Sequence, residues 1–377
     1  MRTNETKNTE VVGIDQLKKE VGDRGPGSLG LLKVAIDVHG EFDVWMAQQD
    51  NAAPRGAQKG DRKALINYLK GQRAKGWKVI SCYEAGPFGY GLHRELVEAG
   101  IDNRVIRPRN WDDSRRRVRT DRTDTRSMLV ALDRFVAGQV HALDVVRVPT
   151  PEAELRRQCG RVAQQLKREG QRIAQMGRSQ ALYFGHRMVG AWYSERRWPR
   201  WKKDLPEWLV SLLEPLRAVL MKLVEEYKVL RAQLLEQSPT PESLPEGMGL
   251  ETADALEREI CDWNRFSNRR AVGGFAGMTP GEASSGASRQ QGGISKCGNG
   301  RIRWLLVQMA WRLPRFQPDY MRVKRFRERC GPGANSARRR KAVVALAREF
   351  LVDWWRIRTG RVTPEKLGLK MRQTSQS

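Results

Sequence analysis

The chain has 377 residues and a net charge of +26 at pH 7, with 40% hydrophobic and 30% charged residues. This composition indicates a folded protein of two or three domains and excludes a disordered chain or a membrane bundle. The charge excess indicates a polyanionic partner, most simply nucleic acid. Scattered cysteines predict neither a zinc site nor a disulfide framework. Together with an N-terminus unlike a signal peptide, they predict a cytoplasmic protein without membrane contact.

We divide the chain into a flexible leader over residues 1–30, an α/β domain over 31–150, an arm over 151–237 and a mainly α-helical domain over 238–377. Hairpin strands followed by strands that alternate with helices are typical of a mixed sheet flanked by helices. In the α/β domain we predict a hairpin over residues 31–49, a helix over 61–75, strands over 78–84 and 101–108, and a helix over 121–137.

The arm carries two heptad-like patterns. The first comprises Leu155, Cys159, Val162, Leu166, Ile173 and Met176, and the second Leu209, Leu213, Leu216, Leu220, Leu223, Tyr227, Leu230 and Leu234. Two such helices joined by a Trp-rich segment predict an antiparallel coiled-coil arm, and ordinary core-facing helices of a bundle are the alternative. In the last domain, helices over 252–263, 301–313 and 341–356 flank a Gly/Ser-rich segment, 273–300, that we expect to be loop-like.

Four carboxylates of the α/β domain form the first chemical constellation. Asp37 stands inside an apolar strand, where a charge is costly without compensation. Glu84 ends the next apolar strand, and Asp121 and Asp124 share one face of a helix. Converging carboxylates suit Mg²⁺ or Mn²⁺, which stabilises oxygens in phosphoryl transfer. Surface ion pairing with neighbouring arginines is the alternative for Asp121 and Asp124. His39 faces the same side as Asp37, and we expect it on the strand-end surface, with contact to the metal site as the alternative.

The second constellation is the segment TPGEASSGASRQQGGISKCGNGR. Ser284 and Ser285 stand there among Arg289, Lys296 and further basic residues. A serine among cations can attack a phosphodiester, because the cations stabilise the charge that develops on the phosphate oxygens. A solvated loop that wraps phosphate through backbone N–H groups is the alternative.

These motifs together resemble one family. Asp37 in AIDVH, Glu84 in YEAGPFGYGL, the aspartates of RTDRTDT, and the blocks GGFAGMTPGEASSG and GGISKCGNGRIRWLL are similar in kind and order to the DEDD insertion-sequence transposases. These are bridge-RNA-guided recombinases with a RuvC-like domain and a serine-bearing transposase domain. The resemblance covers roughly residues 31–360. It departs where the family often reads KTDRRDA and where a lysine often follows the serine loop.

The resemblance implies a ribonuclease-H-like (RuvC-like) fold for residues 31–150 and a transposase domain for 238–377. Asp37, Glu84, Asp121 and Asp124 match the metal-binding residues, and Ser285 matches the nucleophile, with Ser284 as the fallback. It also implies donor and target DNA as substrates, a structured guide RNA, and a nucleoid-associated bacterial enzyme. Strand exchange between two duplexes needs several active sites, so we expect a dimer or tetramer. A metal-dependent junction nuclease and a non-catalytic nucleic-acid-binding scaffold are the alternatives.

Two further segments are candidates for holding nucleic acid. An arginine-rich stretch beside the acidic residues offers an electrostatic track for phosphates, through Arg115, Arg116, Arg117 and Arg119. The tip of the arm interleaves Trp198 and Trp201 with basic residues, a composition that suits stacking on unpaired bases. The alternatives are a solvated surface for the first segment, and a hydrophobic cap or a subunit contact for the second.

Overall fold

The computed structural model describes residues 29–109, 120–236, 238–240, 243–285, 288–331 and 333–372, and residues 282–285 and 288–291 by their backbone alone. Residues 1–28 of the predicted leader and the arginines at 115, 116, 117 and 119 therefore lie outside the described residues, whereas Gly30, the last residue predicted for the leader, already belongs to the first strand. The chain divides into two compact units, the first ending at Val148 and the second starting at Pro149. Among the described residues, none of the helices has the apolar length needed to cross a bilayer.

The first unit is built around a five-stranded sheet with the strand order β3-β2-β1-β4-β5. Its elements are β1 (Gly30–Val38), β2 (Asp43–Gln49), β3 (Gln58–Gly60), α1 (Arg62–Ala74), β4 (Trp77–Glu84), α2 (Gly91–Glu98), β5 (Asp102–Ile106) and α3 (Asp121–Val136). Strands β1, β2 and β3 are antiparallel neighbours, whereas β4 runs parallel to both β1 and β5. The predicted mixed α/β sheet is confirmed.

Helices cover both faces of this sheet because β1 is apolar on both sides. Ile36 belongs to a buried cluster with Leu65 of α1 and Leu96 of α2, whereas the adjacent Ala35 belongs to a second cluster with Leu129 of α3. A strand buried on both faces is rich in apolar residues on both sides, and in β1 the buried exception, Lys33, is paired with Asp133 of α3. The parallel arrangement of β1 and β4 brings their carboxyl ends to one edge, where binding sites of such sheets form.

The second unit is mainly helical, with one small antiparallel hairpin. It contains α4 (Pro151–Tyr183), α5 (Trp198–Asp204), α6 (Glu207–Glu236), α7 (Leu250–Ile260), α8 (Arg269–Phe275), β6 (Pro280–Ser285), β7 (Ser288–Ile294), α9 (Gly300–Phe316), α10 (Met321–Arg329) and α11 (Ser336–Arg358). The hairpin corrects the expectation of a loop over residues 273–300. Glycine and serine have little preference for strands, so the composition of this segment does not indicate the pairing.

The long helices α4 and α6 pack against each other in opposite directions. Lys167 of α4 lies over the ring of Tyr227, and a Cβ on Gly170 would contact Leu220 of α6. The leucines predicted for α6 lie on its less exposed side. The pattern predicted for α4 is wrong in part. Leu155, Val162 and Met176 are exposed, whereas Leu166 and Ile173 are partly buried. The fully buried positions of α4 are Gly160, Ala163, Gly170, Ala174, Gly177 and Ala181. Small residues on α4 let the leucine side of α6 approach closely.

Candidate functional site

The acidic residues of the first unit gather at the edge where β1 and β4 end. Ile36 of β1 and Tyr83 of β4 are paired in parallel register, and Asp37 and Glu84 are the residues that follow them. Asp121 and Asp124 occupy the first turn of α3, whose N-terminus is closed by a capping box between Thr120 and Thr123. Carboxylates in a first turn are favoured by the helix dipole, so the sequence TDRTD fixes both the start of the helix and the position of the acids.

The geometry brings His39 into this cluster. Ligand atoms of Asp37, His39 and Asp121 all lie within 4.8 Å of one another. The Nε2 atom of His39 is 3.3 Å from Asp37 Oδ2 and 3.5 Å from Asp121 Oδ2. Among the described residues this buried nitrogen has no hydrogen-bond partner of proper geometry. Of the two positions expected for His39, the structure agrees with contact to the acidic site rather than with a separate strand-end surface, and its spacing of two from Asp37 is the sequence signal for that contact.

The other three carboxylates all influence the pKa of Asp37. Burial raises the pKa of Asp37 above its ordinary value, and the neighbouring His39 lowers it. Asp121, Asp124 and Glu84 each raise the pKa of Asp37 further. Glu84 also accepts a hydrogen bond from the backbone N–H of Arg109, with 3.2 Å between nitrogen and Oε1. Mutual repulsion of this kind is relieved by a cation, so the cluster has the charge that a metal site needs.

The segment after the serine hairpin is held tightly. The guanidinium of Arg303 donates to the backbone oxygens of Ala276, at 2.9 Å, and Lys296, at 3.2 Å. A Cβ on Gly298 would stand 2.5 Å from the backbone nitrogen of Gly277, so only glycine fits there. Asn299 then caps α9 by accepting from the backbone N–H groups at the start of that helix. The glycines of KCGNG therefore allow a close backbone approach that fixes the hairpin to α9.

Of the remaining predicted residues, Ser285 ends β6 and pairs with Ser288 of β7, and Ser284 pairs with Arg289. Lys296 is exposed and has a positive φ of 56°. Arg115, Arg116, Arg117 and Arg119 are outside the described residues.

The tryptophans at the tip of the arm mostly form a cap. Trp192 is fully buried and donates from Nε1 to the backbone oxygen of Ala174, and Trp198 is only 5% exposed. This corrects the prediction for Trp198, because a buried ring has no free face on which a base could stack. Trp201 packs partly buried against the same cluster. The rings exposed near this end are Tyr183, Phe184 and Trp208, which contact one another edge to face.

Sequence comparisons decide the family. Residues 242–325 match the family described as "Transposase IS116/IS110/IS902 family". The "Putative transposase y4rJ" of Sinorhizobium fredii (strain NBRC 101917 / NGR234) is 30% identical over 308 residues, which is 74% of this chain and 76% of that protein. The chain belongs to the IS116/IS110/IS902 family of transposases. A second relative from the same strain, "Putative transposase y4qE", is 31% identical over 314 residues, covering 78% of this chain and 73% of the relative.

Membership of this transposase family implies that DNA is the substrate, and it suggests a divalent metal. The residues at the edge of the sheet fit such an ion. Asp37 and Asp121 offer hard oxygen ligands, His39 offers an imidazole nitrogen without a hydrogen-bond partner among the described residues, and the carboxylates repel one another without a cation. The matched segment of the transposase spans α7, α8, both strands of the serine hairpin and α9.

Proposed function

We propose that this transposase cuts and rejoins DNA strands at an insertion-sequence element, with the first unit as a RuvC-like, ribonuclease-H-like catalytic domain. The observation that carries the proposal is the cluster of Asp37, His39 and Asp121 at the edge of a mixed sheet, with Glu84 and Asp124 close enough to raise the pKa of Asp37. Ligands at the carboxyl ends of adjacent strands are held by the sheet itself, which suits a site that must keep a fixed geometry.

In this proposal Asp37, Glu84, Asp121 and Asp124 hold Mg²⁺ or Mn²⁺. When bound, the ion stabilises negative charge on the oxygens of the scissile phosphate. The carboxylates would fix the position of the ion and thereby the position of that phosphate. His39 touches the cluster from the strand end, and its Nε2 atom offers a nitrogen ligand beside Asp37 and Asp121.

We assign the covalent step to Ser285, with Ser284 as the neighbouring candidate. The serine oxygen forms a bond to phosphorus while the bond from phosphorus to the leaving strand oxygen breaks, and in sum the serine proton passes to that oxygen. The reverse attack by a free strand hydroxyl restores the serine and joins the new strand. This route keeps the energy of the phosphodiester, which hydrolysis would release. Arg289 lies in β7 and Lys296 follows the end of that strand by two residues. In this proposal both supply positive charge near the phosphate.

The proposal includes a structured guide RNA that selects donor and target sites, held in part by the arm formed by α4 and α6, which we take as an antiparallel coiled coil. It also includes a dimer or tetramer, because two duplexes must be cut in one reaction. The high charge of +26 supports several phosphate contacts per subunit.

The test is a search for DNA bound covalently to protein. Full-length protein is incubated with RNA, labelled DNA and Mg²⁺, and the products are separated on a denaturing gel. We expect an adduct that is lost in Ser285→Ala and in Asp37→Asn and is kept in the matched variant Ser284→Ala. The opposite behaviour of the two serine variants would move the nucleophile to Ser284.

Two other results would replace the proposal. Cleavage without an adduct that survives both serine variants but not Asp37→Asn would indicate a junction nuclease. Binding of nucleic acid without cleavage, in the wild type as well, would indicate a scaffold.

A further inference from the structure

The second unit contains a cavity that the proposed chemistry does not use. It has a volume of about 330 Å³ and lies between α4, α6, α7 and α9. Ligand pockets start at about 300 Å³, so the space suits one small molecule or one unit of a polymer and excludes a duplex. Gly160 and Ala163 of α4 line it, and the guanidinium of Arg258 lies directly against Gly160.

The wall of the cavity carries an excess of positive charge. Each of its three acids is shared by two basic side chains, namely Glu251 by Lys167 and Arg231, Asp254 by Arg156 and Arg258, and Glu259 by Arg161 and Arg301. Arg168 also lines the cavity and has no acidic partner among the described residues. Burial lowers the pKa of Arg301, Glu259 raises it, and Arg161 and Arg168 lower it further. An anion here would relieve the repulsion between the guanidinium groups.

Two uncharged groups complete the site. Trp304 of α9 lines the cavity and is 55% exposed, so part of its ring is open to contact with a ligand. The amide oxygen of Gln164 is buried and accepts no hydrogen bond from any described residue. A buried acceptor without a donor costs stability, so a donor supplied by a ligand would be favourable at this amide. Exocyclic amines of nucleobases are donors of this kind, and amide side chains read base edges in this way.

We propose that this cavity takes a single unpaired nucleotide of a DNA strand. The base stacks on Trp304 and donates to the amide oxygen of Gln164, while its phosphate lies against Arg168 and Arg301. Unpaired nucleotides are held by groups of these kinds. Cations contact the phosphate, an aromatic face stacks on the base and an amide binds the base edge. This inference rests on DNA as the substrate of the proposed function, but it needs neither Ser285 nor the metal.

The experiment compares a paired DNA duplex with the same duplex carrying one bulged 2-aminopurine, using the full chain and fluorescence anisotropy. We expect the wild type to bind the bulged duplex about tenfold more tightly, the scale of one base stacked on an aromatic ring. Trp304→Ala should remove this preference and leave the affinity for the paired duplex unchanged. The matched control is Trp311→Ala, which removes an exposed tryptophan from the same helix, outside the cavity lining, and should keep the preference.

A second pair of variants tests the amide separately from the ring. Gln164→Leu should reduce the preference for the bulged base and leave binding of a bulge without a base unaffected. The proposal is overturned if the wild type shows no preference or if Trp304→Ala keeps it. A preference limited to RNA bulges would overturn the assignment to DNA. Competition by free adenosine monophosphate without any bulge preference would assign the cavity to a free nucleotide. Failure here leaves the serine adduct untouched, so the two proposals fail separately.

Discussion

At the scale of single residues, Asp37 shows why the candidate site is costly to the fold. It is a half-buried carboxylate with three other carboxylates nearby, and burial and these neighbours raise its pKa. Its position inside an apolar strand already predicted an unusual role. The contact of His39 with the carboxylates was established only by the structure. Its spacing of two places it on the side of Asp37 but does not show which groups it meets.

This cost leads to a stability prediction. Folding raises the pKa of Asp37, so ionisation of this carboxyl destabilises the folded state. The destabilisation is absent at pH values below the ordinary pKa of 3.8, grows as the pH rises from there, and is complete above the raised pKa. Asp37→Asn should therefore increase the melting temperature without metal at pH 7, by about 2 °C, as active-site charges commonly oppose stability. The gain should shrink as the pH falls towards 4.

Differential scanning fluorimetry across pH, with and without Mg²⁺, provides the measurement. Mg²⁺ should raise the melting temperature of the wild type and not that of Asp37→Asn. Asp144→Asn is the control, since Asp144 is an exposed partner of Arg107. A lower melting temperature for Asp37→Asn at neutral pH would contradict the electrostatic account.

At the scale of elements, the packing of α4 against its neighbours depends on small residues. A Cβ on Gly177 would stand 2.2 Å from the ring of Trp192, which is buried and fixed by its hydrogen bond to Ala174. A Cβ on Gly170 would stand at an ordinary 3.5 Å from Leu220. The same substitution should therefore have opposite effects at two positions about two turns apart along one helix.

We expect Gly177→Ala to lower the free energy of unfolding by about 2 kcal/mol through overpacking. Gly170→Ala should raise it by up to about 1 kcal/mol, because alanine is the better helix former and meets no obstacle. Urea unfolding followed by tryptophan fluorescence measures both. Equal signs for the two variants would show that α4 does not pack through these glycines.

Several elements were predictable because their patterns are local. The helix over 61–75 begins where Asp61 caps it, and the acidic helix begins where Thr120 caps it. The face of α4 was not predictable from hydrophobicity. Leu155 and Val162 are exposed, and the buried positions of α4 are taken by glycine and alanine.

At the scale of the whole molecule, the second unit has a core of its own. One buried cluster uses residues between Ala174 and Leu220, and a larger one uses residues between Leu244 and Leu369. A fragment of residues 149–377 should therefore fold independently and show one or two cooperative thermal transitions by circular dichroism. A helical fragment that melts without cooperativity would contradict this, and Leu306→Asp, in the larger cluster, is the matched unfolded control.

The sequence by itself determined the mixed sheet, the long helices, the four carboxylates and the family, because these depend on local periodicity, capping and motif order. Only the tertiary structure decided which side chains meet. It brought His39 to the carboxylates, buried Trp198, turned small residues of α4 towards α6 and enclosed a basic cavity around Gln164 and Trp304. The reason is physical. The net charge of +26 indicates that a polyanion binds. Which side chains lie close enough together to contact its phosphates and bases depends on packing between helices that are distant in sequence.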